Sequence, residues 1–372
     1  MTAHGPAAVI VLAAGEGTRM RTATPKMLNE VCGRPMLGHV LAAARDLRPG
    51  RVIVVVSDLA GQVARYTREH WPEATLVAQE RTGSWGTGHA VRTVVESAGV
   101  IHGTVIVLFS DTPMLRSQTL VDLAVEHEAA GAAVTVLTAQ APDPAGYGRI
   151  LRNEEGQVTG IVEEADATPE QRALTEISSG MFAFDGDLLA DAVKRIPPAR
   201  ATGEEYLTEV PAILRADGHV VGSAFCADFD EIQGVNDQVQ LARARRVLNE
   251  RLLAHWMAAG VTIVDPASTW IDVDVLIEPG AAISQASQLE GRTVVGAGAN
   301  VGPGCLLRDT TVGAGATVLQ AVCEGIVIEP GAVVGPFVHL TPEGGDQQAR
   351  KRGPSAQSPA AASSRTWQHK ES

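Results

Sequence analysis

The sequence predicts an α/β domain with a mixed, mostly parallel sheet, followed by a short parallel β-helix and a disordered tail. Three observations predict this order. Short β-branched runs alternate with amphipathic stretches to about residue 230, aliphatic residues recur every six positions between Ile271 and Leu340, and large aliphatic residues become rare after Thr341. Alternating strands and helices favour a parallel sheet covered by helices, and a six-residue period is typical of a parallel β-helix.

The first part of the chain supplies the strands and helices of the α/β domain. Residues 51–56 and 105–109 are almost wholly apolar, which predicts strands buried on both faces. After Gly146 the apolar runs become shorter, so we expect a mixed sheet. It would extend over the edge where the parallel strands end and where α/β sheets bind ligands. The other predicted elements are helices at 35–47, 89–97 and 117–130 and strands at 132–138, 149–152, 158–163 and 178–184.

One long helical pattern separates the two folded parts. Apolar residues recur at helical spacing from Asn236 to Ala258, and Gly260 suits a C-cap. The predicted organisation is an α/β domain at 1–235, a connector helix at 236–260, a β-helix at 261–341 and a tail at 342–372.

The β-helix is predicted from the position of its aliphatic residues. A glycine-rich loop region does not produce a fixed aliphatic period. One register contains Ile271, Ile277, Ile283, Leu289, Val295 and Val301, a second Val312 and Val318, and a third Val322, Ile328, Val334 and Leu340. The tail is rich in Gly, Pro, Ser, Ala, Gln and Arg, and such a segment cannot bury enough apolar surface to fold.

Composition excludes several classes of partner. A formal net charge of −13 argues against nucleic acid, which needs a basic face. Residues 1–6 carry no Lys or Arg, and no stretch is long and apolar enough for a membrane span, so we expect neither a secretion signal nor a membrane partner. The four scattered cysteines predict reduced thiols and a cytoplasmic protein.

The loop after the first predicted strand carries the strongest functional signal. Residues 12–20 read L-A-A-G-E-G-T-R-M and follow the apolar run at 7–11. Gly15 and Gly17 allow the backbone to approach a phosphate, so that several N–H groups point at one anion.

Arg19 and Lys26 add two cations to the same loop. The Walker pattern requires Gly-Lys-Ser/Thr at the end of its glycine stretch, and the dinucleotide fingerprint requires G-x-G-x-x-G. This loop has neither, so the sequence predicts a nucleotide-phosphate loop and argues against motor ATPases and hydride-transfer enzymes.

Several motifs, taken in order, resemble those of one enzyme family. They are L-A-A-G-E-G-T-R-M with Pro25-Lys26, G-T-G-H-A at 86–90, Asp111 after a strand, G-Y-G-R-I at 146–150, G-I-V-E-E at 160–164, G-V-N at 234–236 and the hexapeptide repeats. From about Val9 to about Leu340 the chain resembles the bacterial bifunctional N-acetylglucosamine-1-phosphate uridylyltransferase / glucosamine-1-phosphate N-acetyltransferase family.

The resemblance implies a Rossmann-like nucleotidyltransferase domain and a left-handed β-helix. It also implies uridylyl transfer from UTP to a sugar 1-phosphate, N-acetylglucosamine 1-phosphate, by Mg²⁺-assisted in-line attack. In that family Arg19 and Lys26 would be catalytic, and Asp111 and Asn236 would hold Mg²⁺. The nucleotide would be bound by Leu12, Ala13, Ala14, Gly15, Gln79, Gly86 and Thr87, and the sugar by Gly148, Glu163 and Ser178.

This sequence departs from the family pattern in several places. Ser110 replaces a glycine before the metal ligand, the segment from Gln79 to Trp85 is about two residues longer, and Ser178 replaces an asparagine. The family's later β-helix coils, which carry the acetyl-transfer residues, are not found, so we expect no acetyltransferase activity. A homotrimer through the β-helix is compatible with the repeats.

Two other functions stay open at this point. The altered base loop and Ser178 are compatible with a nucleotidyltransferase for a different sugar 1-phosphate or nucleoside triphosphate. A non-catalytic sugar-nucleotide-binding subunit is a third reading, against which the four residues Arg19, Lys26, Asp111 and Asn236 argue.

Overall fold

A computed structural model describes residues 5–15, 17–80, 85–199 and 203–343. The predicted disordered tail therefore lies outside the described residues from position 344 onward. The chain divides into two compact units, with the boundary between Glu250 and Arg251. Within the described ranges, no helix combines the length and the apolar character that a membrane crossing requires.

The described part of the first unit is built on one nine-stranded sheet and a small hairpin. The strands are β1 (Ala8–Ala13), β2 (Glu30–Val31), β3 (Arg34–Pro35), β4 (Val52–Val56), β5 (Thr75–Ala78), β6 (Thr104–Phe109), β7 (Val134–Gln140), β8 (Gly148–Arg152), β9 (Val158–Val162), β10 (Glu176–Asp185) and β11 (Val221–Phe225). The main sheet has the order β11-β7-β10-β6-β1-β4-β5, with β8 joining β10 to β9, and β2 and β3 form the hairpin. Strands β6, β1, β4 and β5 are parallel, whereas β10 runs antiparallel to β6 and β7.

Helices connect and follow these strands along the chain. They are α1 (Met36–Asp46), α2 (Gln62–His70), α3 (Thr87–Ala98), α4 (Ser117–Ala130), α5 (Pro169–Arg172), α6 (Gly186–Ala192), α7 (Val210–Ala216), α8 (Phe229–Ile232) and α9 (Gln238–Ala258). Short 3-10 helices occupy Thr18–Met20, Lys26–Leu28, Val193–Arg195 and Leu207–Glu209. The unit boundary falls within α9.

Strand β1 shows why the sheet is buried on both faces. Successive side chains of a strand point to opposite faces, and in β1 both sets are apolar. Val9 and Val11 belong to one buried cluster, and Ile10 and Leu12 belong to another. The predicted α/β fold with a mixed, mostly parallel sheet is confirmed.

The second unit contains a ladder of very short parallel strands. They are β12 (Thr262–Ile263), β13 (Trp270–Ile271), β14 (Leu276–Ile277), β15 (Ala282–Ile283), β16 (Gln288–Glu290), β17 (Val294–Val295), β18 (Asn300–Val301), β19 (Leu306–Arg308), β20 (Thr311–Val312), β21 (Thr317–Val318), β22 (Ala321–Glu324), β23 (Val327–Ile328), β24 (Val333–Val334) and β25 (Val338–Leu340). Within the described residues they form three parallel sheets, in which every third strand is a neighbour, as a parallel β-helix requires.

The hexapeptide registers are largely those that the sequence predicts. The members from Ile271 to Val301, together with Val312 and Val318, are buried in one cluster. One position is different, because Leu289, Leu307 and Cys323 pair in successive coils. Cys323 is therefore the inward residue, whereas Val322, which the sequence analysis assigned to the third register, is only half-buried.

Candidate active site

A cavity of about 490 Å³ lies at the carboxyl ends of β1 and β6. From β1 the chain passes to β4 and β5 on one side, and then returns to β6 on the other side of β1. Ligands of α/β sheets bind at such a switch point in the strand order. The predicted site residues that line the cavity are Leu12, Ala14, Gly15, Arg19, Lys26, Gln79, Gly86, Thr87 and Asp111.

The glycine-rich loop places its two cations through short helical turns. Arg19 precedes the buried Met20 in one 3-10 helix, and Lys26 precedes the buried Met27 in the next. Each apolar neighbour anchors its turn, while the cation lines the cavity. Gly17 has a φ of +60°, and a Cβ there would overlap the Cβ of Lys26. Glycine is therefore required at position 17 so that the stem of Lys26 can pack against the loop.

Lys26, Arg19, Asp111 and Asn236 form one polar cluster. Lys26 Nζ donates to Asn236 Oδ1 at 2.7 Å and forms an ion pair with Asp111 Oδ2. Arg19 Nη2 donates to the same amide oxygen at 3.0 Å. The side chains of Lys26 and Asp111 are only 13% and 21% exposed, so these contacts are partly shielded from water.

Asn236 joins the cluster from the loop before α9, although it is outside the described cavity lining. Its backbone N–H donates to Gln240 Oε1 at 2.6 Å, which fixes the residue at the start of the helix. The N–H of Val235 donates to the carbonyl of Asp111 at 2.9 Å. The two predicted metal ligands are thereby brought together from positions far apart in the sequence.

The oxygens of Asp111 and Asn236 fit a divalent cation. Both contact a single ammonium group, so a cation of similar position can reach both. Across the described residues, no group of three or more His, Cys, Asp or Glu side chains is arranged to hold a metal ion. A carboxylate and an amide are the hard donors that Mg²⁺ prefers, and this ion usually completes its shell with water and phosphate oxygens.

Gln79 uses its amide to hold the loop that precedes α3. Its Nε2 donates to the carbonyl of Gly86 at 3.0 Å and lies 3.0 Å from Nδ1 of His89. With the amide as donor, Nδ1 of His89 is the acceptor. Burial lowers the pKa of His89, and the positive charge of Arg92 lowers it further. A neutral His89 is compatible with this arrangement.

Gly86 and Thr87 are fixed by a neighbouring segment of the chain. Gly86 has a φ of +112°, and a Cβ there would overlap the carbonyl oxygen of Glu205. The N–H of Leu207 donates to the hydroxyl of Thr87 at 3.0 Å. This packing brings the adjacent Glu204 to the cavity wall.

The three predicted sugar residues lie together beside the cavity. Gly148 and Ser178 pair across β8 and β10, and a Cβ at Gly148 would lie 3.5 Å from Glu163 Oε2. Thr208 donates its hydroxyl to Glu163 Oε1 at 2.6 Å. Burial raises the pKa of Glu163, despite that hydrogen bond. None of the three is in the described cavity lining.

Two contacts connect this group with the cavity. Gly180 has a φ of +76°, and a Cβ there would overlap the ring of Phe109, which lines the cavity. The hydroxyl of Ser178 accepts the N–H of Gly180 at 3.1 Å, so it is used by the turn. Burial raises the pKa of Tyr147, the residue before Gly148, and the negative charge of Asp111 raises it further.

The residues that follow Gly148 and Glu163 in the G-Y-G-R-I and G-I-V-E-E motifs have a structural role. Arg149 is 1% exposed. Its Nη2 lies 2.6 Å from Glu164 Oε2, and its Nε donates to the carbonyl of Leu174 at 3.1 Å. The ion pair of Arg149 and Glu164 therefore joins β8 to the end of β9. The residues before them, Gly148 and Glu163, face each other at the predicted sugar site.

Sequence reasoning assigned no role to several residues of the cavity wall, among them Trp85 and Glu204. Trp85 is 42% exposed, and an exposed aromatic residue beside the G-T-G-H-A motif is a signal that the sequence offered. The sequence offered no such signal for Glu204, because only the tertiary contact between Gly86 and Glu205 brings this segment to the cavity wall. Ala13 lines a second cavity, of about 470 Å³, on the β4 side of the loop.

Comparison with known proteins identifies the family of this fold. Residues 9–177 match the family of MobA-like NTP transferase domains. Bifunctional protein GlmU of Thermobifida fusca is 54% identical over 334 residues, which cover 89% of this chain and 69% of that protein. The proteins of the same name from Streptomyces avermitilis and Mycolicibacterium vanbaalenii are 53% and 45% identical, over 92% and 90% of this chain and 71% and 69% of their own lengths.

Proposed function

This chain belongs to the family of bifunctional GlmU proteins, and from that premise we propose that it transfers a uridylyl group from UTP to N-acetylglucosamine 1-phosphate. It is a sugar-1-phosphate nucleotidyltransferase of the UDP-N-acetylglucosamine diphosphorylase type. The observation that carries the proposal is the meeting of Lys26, Arg19, Asp111 and Asn236 beside a cavity at the switch point of the sheet.

The proposed reaction requires positioning and charge neutralisation. An oxygen of the sugar phosphate attacks the α-phosphorus of UTP in line, the bond to the β-phosphate oxygen breaks, and pyrophosphate leaves with its electron pair. Little covalent participation by the protein is needed. Because the chain has a net charge of −13, the attraction for the triphosphate would come from the local cations Arg19 and Lys26 together with the metal ion. Preorganised cations of this kind stabilise the charge that develops in the transition state.

Asp111 and Asn236 would hold the Mg²⁺ ion. When bound, Mg²⁺ supplies positive charge to the phosphate oxygens and orients them. The side chains supply one anionic and one neutral oxygen, which leaves further coordination positions for phosphate and water.

The sugar would be bound by the group beside the cavity. A Cβ at Gly148 would come within 2.9 Å of Ile161 and 3.5 Å of Glu163, so glycine suits this close packing. The carboxylate of Glu163, held by Thr208, would accept hydrogen bonds from sugar hydroxyl groups. Gln79, Gly86 and Thr87 would frame the base, in the part of the cavity that also contains Trp85.

Pyrophosphate release tests this proposal directly. The chain is incubated with each pair from a panel of nucleoside triphosphates and sugar 1-phosphates. We expect the highest kcat/KM for UTP with N-acetylglucosamine 1-phosphate. A clear preference for another base or sugar would show that the chain uses that other substrate pair. No release from any pair would favour a non-catalytic sugar-nucleotide-binding subunit.

We also propose that this 372-residue chain does not acetylate glucosamine 1-phosphate. The support is the six-residue period, which ends at Leu340, whereas the resemblance places the acetyl-transfer residues in later coils. Acetyl-CoA-dependent release of free thiol, above a blank without glucosamine 1-phosphate, would overturn this expectation. The cytoplasmic location and the homotrimer stay predictions of the sequence.

A further inference from the structure

The ammonium group of Lys26 contacts both oxygens that the proposed function assigns to the metal. It forms an ion pair with Asp111 Oδ2 and donates to Asn236 Oδ1 at 2.7 Å. Arg19 donates to the amide oxygen as well.

The backbone of Lys26 is fixed, whereas the end of its side chain can move. Its stem packs against Gly17, and the next residue, Met27, is buried. Lysine carries its charge on a flexible stem with three rotatable donors. Rotation about the outer bonds can therefore move the ammonium between carboxylate and phosphate oxygens while the loop stays in place.

We propose that Lys26 and the divalent cation compete for Asp111 and Asn236, and that the triphosphate relieves this competition by drawing the ammonium to its own oxygens. This inference rests on the proposed function, which supplies the metal and the triphosphate. Lys26 is then a positioning residue for the metal site as well as a cation for the phosphates.

The competition has an energetic consequence. A positive charge in contact with the same oxygens repels an incoming divalent cation, and this repulsion is strengthened where the contacts are partly shielded from water. The metal therefore binds weakly until the triphosphate is present. By linkage, the metal and the triphosphate each raise the affinity for the other by the same factor.

Binding of Mn²⁺ without nucleotide tests the competition apart from turnover. Free Mn²⁺ is measured by electron paramagnetic resonance during titration of the full chain. We expect Lys26→Met to bind Mn²⁺ at least about tenfold more tightly than the wild type, a change of about 1.4 kcal/mol. Lys26→Gln, which also removes the charge, provides a second variant with the same expected direction.

A matched control separates local competition from overall charge. Lys194 is exposed in the Val193–Arg195 turn, and Lys194→Met removes one positive charge without touching the cluster. We expect it to leave Mn²⁺ affinity nearly unchanged. Equal gains for Lys194→Met and Lys26→Met, or no gain for Lys26→Met and Lys26→Gln, would overturn the inference.

The double variant Lys26→Met/Asp111→Asn shows where the gained affinity resides. We expect it to lose the gain, and persistence of the gain would overturn the inference. Asp111→Asn alone distinguishes a failure of the proposed competition from a failure of the metal assignment. If it weakens Mn²⁺ binding while the Lys26 variants change nothing, the metal assignment stands and the competition fails. If it leaves Mn²⁺ binding unchanged, the metal assignment fails as well.

Discussion

The proposed phosphate end of the candidate site, around Lys26 and Arg19, presents cations, whereas the proposed sugar end, around Glu163, presents carboxylates. Lys26 and Arg19 lie at the first end. At the second, burial raises the pKa values of Glu163 and Glu209, and it does the same for Glu204 on the cavity wall. Neighbouring negative charges raise all three further. We expect this difference to orient a substrate that has an anionic phosphate and an uncharged sugar.

The two ends also differ in how their polar groups are satisfied. Lys26 contacts oxygens that a metal ion can take over, so its partners are exchangeable. Glu163 is held by Thr208 and lies among residues of three strands, so its position is fixed. Under the proposed competition the ammonium of Lys26 changes partners at the phosphate end, whereas the contacts of Glu163 give the sugar end a fixed shape.

The largest expected effect is at the metal ligands. Asp111→Asn removes the anionic ligand and Asn236→Ala removes the neutral one, so we expect each to abolish Mg²⁺-dependent turnover. The fold should persist, because these side chains lie at the mouth of a rigid sheet. Pyrophosphate release and the thermal midpoint are measured together. Near-normal turnover at saturating Mg²⁺ would show that these residues do not hold the metal.

The next effect is at the two cations. Lys26→Ala and Arg19→Ala should each lower kcat by about 10²-fold or more, the scale for removal of a preorganised charge stabiliser. Lys194→Ala is the matched control, since it removes an exposed charge outside the site. A rise in KM with unchanged kcat would mean that the cations bind substrate and transition state equally.

A smaller effect is expected at the sugar end, with the opposite sign. Ser178→Asn should raise kcat/KM for N-acetylglucosamine 1-phosphate by up to about tenfold, the value of about one neutral hydrogen bond. Asparagine can still accept the N–H of Gly180, because its side chain forms the same kind of turn as serine. The same variant is assayed with glucose 1-phosphate as a control. No gain, or a loss, would favour a different physiological sugar.

Much of the fold was predictable because it depends on local pattern. The apolar run of β1 and the six-residue period each specify an element from neighbouring residues alone. The helix Ser117–Ala130 has the predicted bounds. The register change at Cys323 was harder to predict, because Val322 and Cys323 are both apolar and only pairing with Leu307 decides which of them points inward.

The motifs predicted which residues form the candidate site, but they did not predict which of those residues are in contact. The resemblance named Asp111 and Asn236, yet nothing in the sequence placed Lys26 against both. The same holds for Glu204, which depends on the fit of Gly86 against the chain near Glu205. Side-chain contacts between distant segments depend on the packed tertiary structure, and short-range patterns do not contain them.

The smallest expected effect concerns stability at the sugar end. Burial raises the pKa of Glu209, and the charges of Asp166 and Glu163 raise it further. Its ionised form is therefore disfavoured in the folded state relative to the unfolded state, where the pKa is about 4.3. The associated stability is fully present below that value and is lost as the pH rises through the folded-state pKa.

Glu209→Gln should therefore stabilise the first unit at pH 7, and the gain should vanish near pH 4, where the wild-type carboxyl is protonated. We expect a rise in Tm of about 2 °C or less, which corresponds to about 1 kcal/mol or less in a unit of this size. Thermal unfolding at both pH values is compared with Glu154→Gln, an exposed position in the turn after β8. A gain of equal size at pH 4 and pH 7, or the same gain in Glu154→Gln, would show that repulsion among the carboxylates is not its source. A fall in Tm at pH 7 would mean that the ionised carboxylate of Glu209 stabilises the folded state. The proposed sugar end would then tolerate fewer substitutions than its fixed shape suggests.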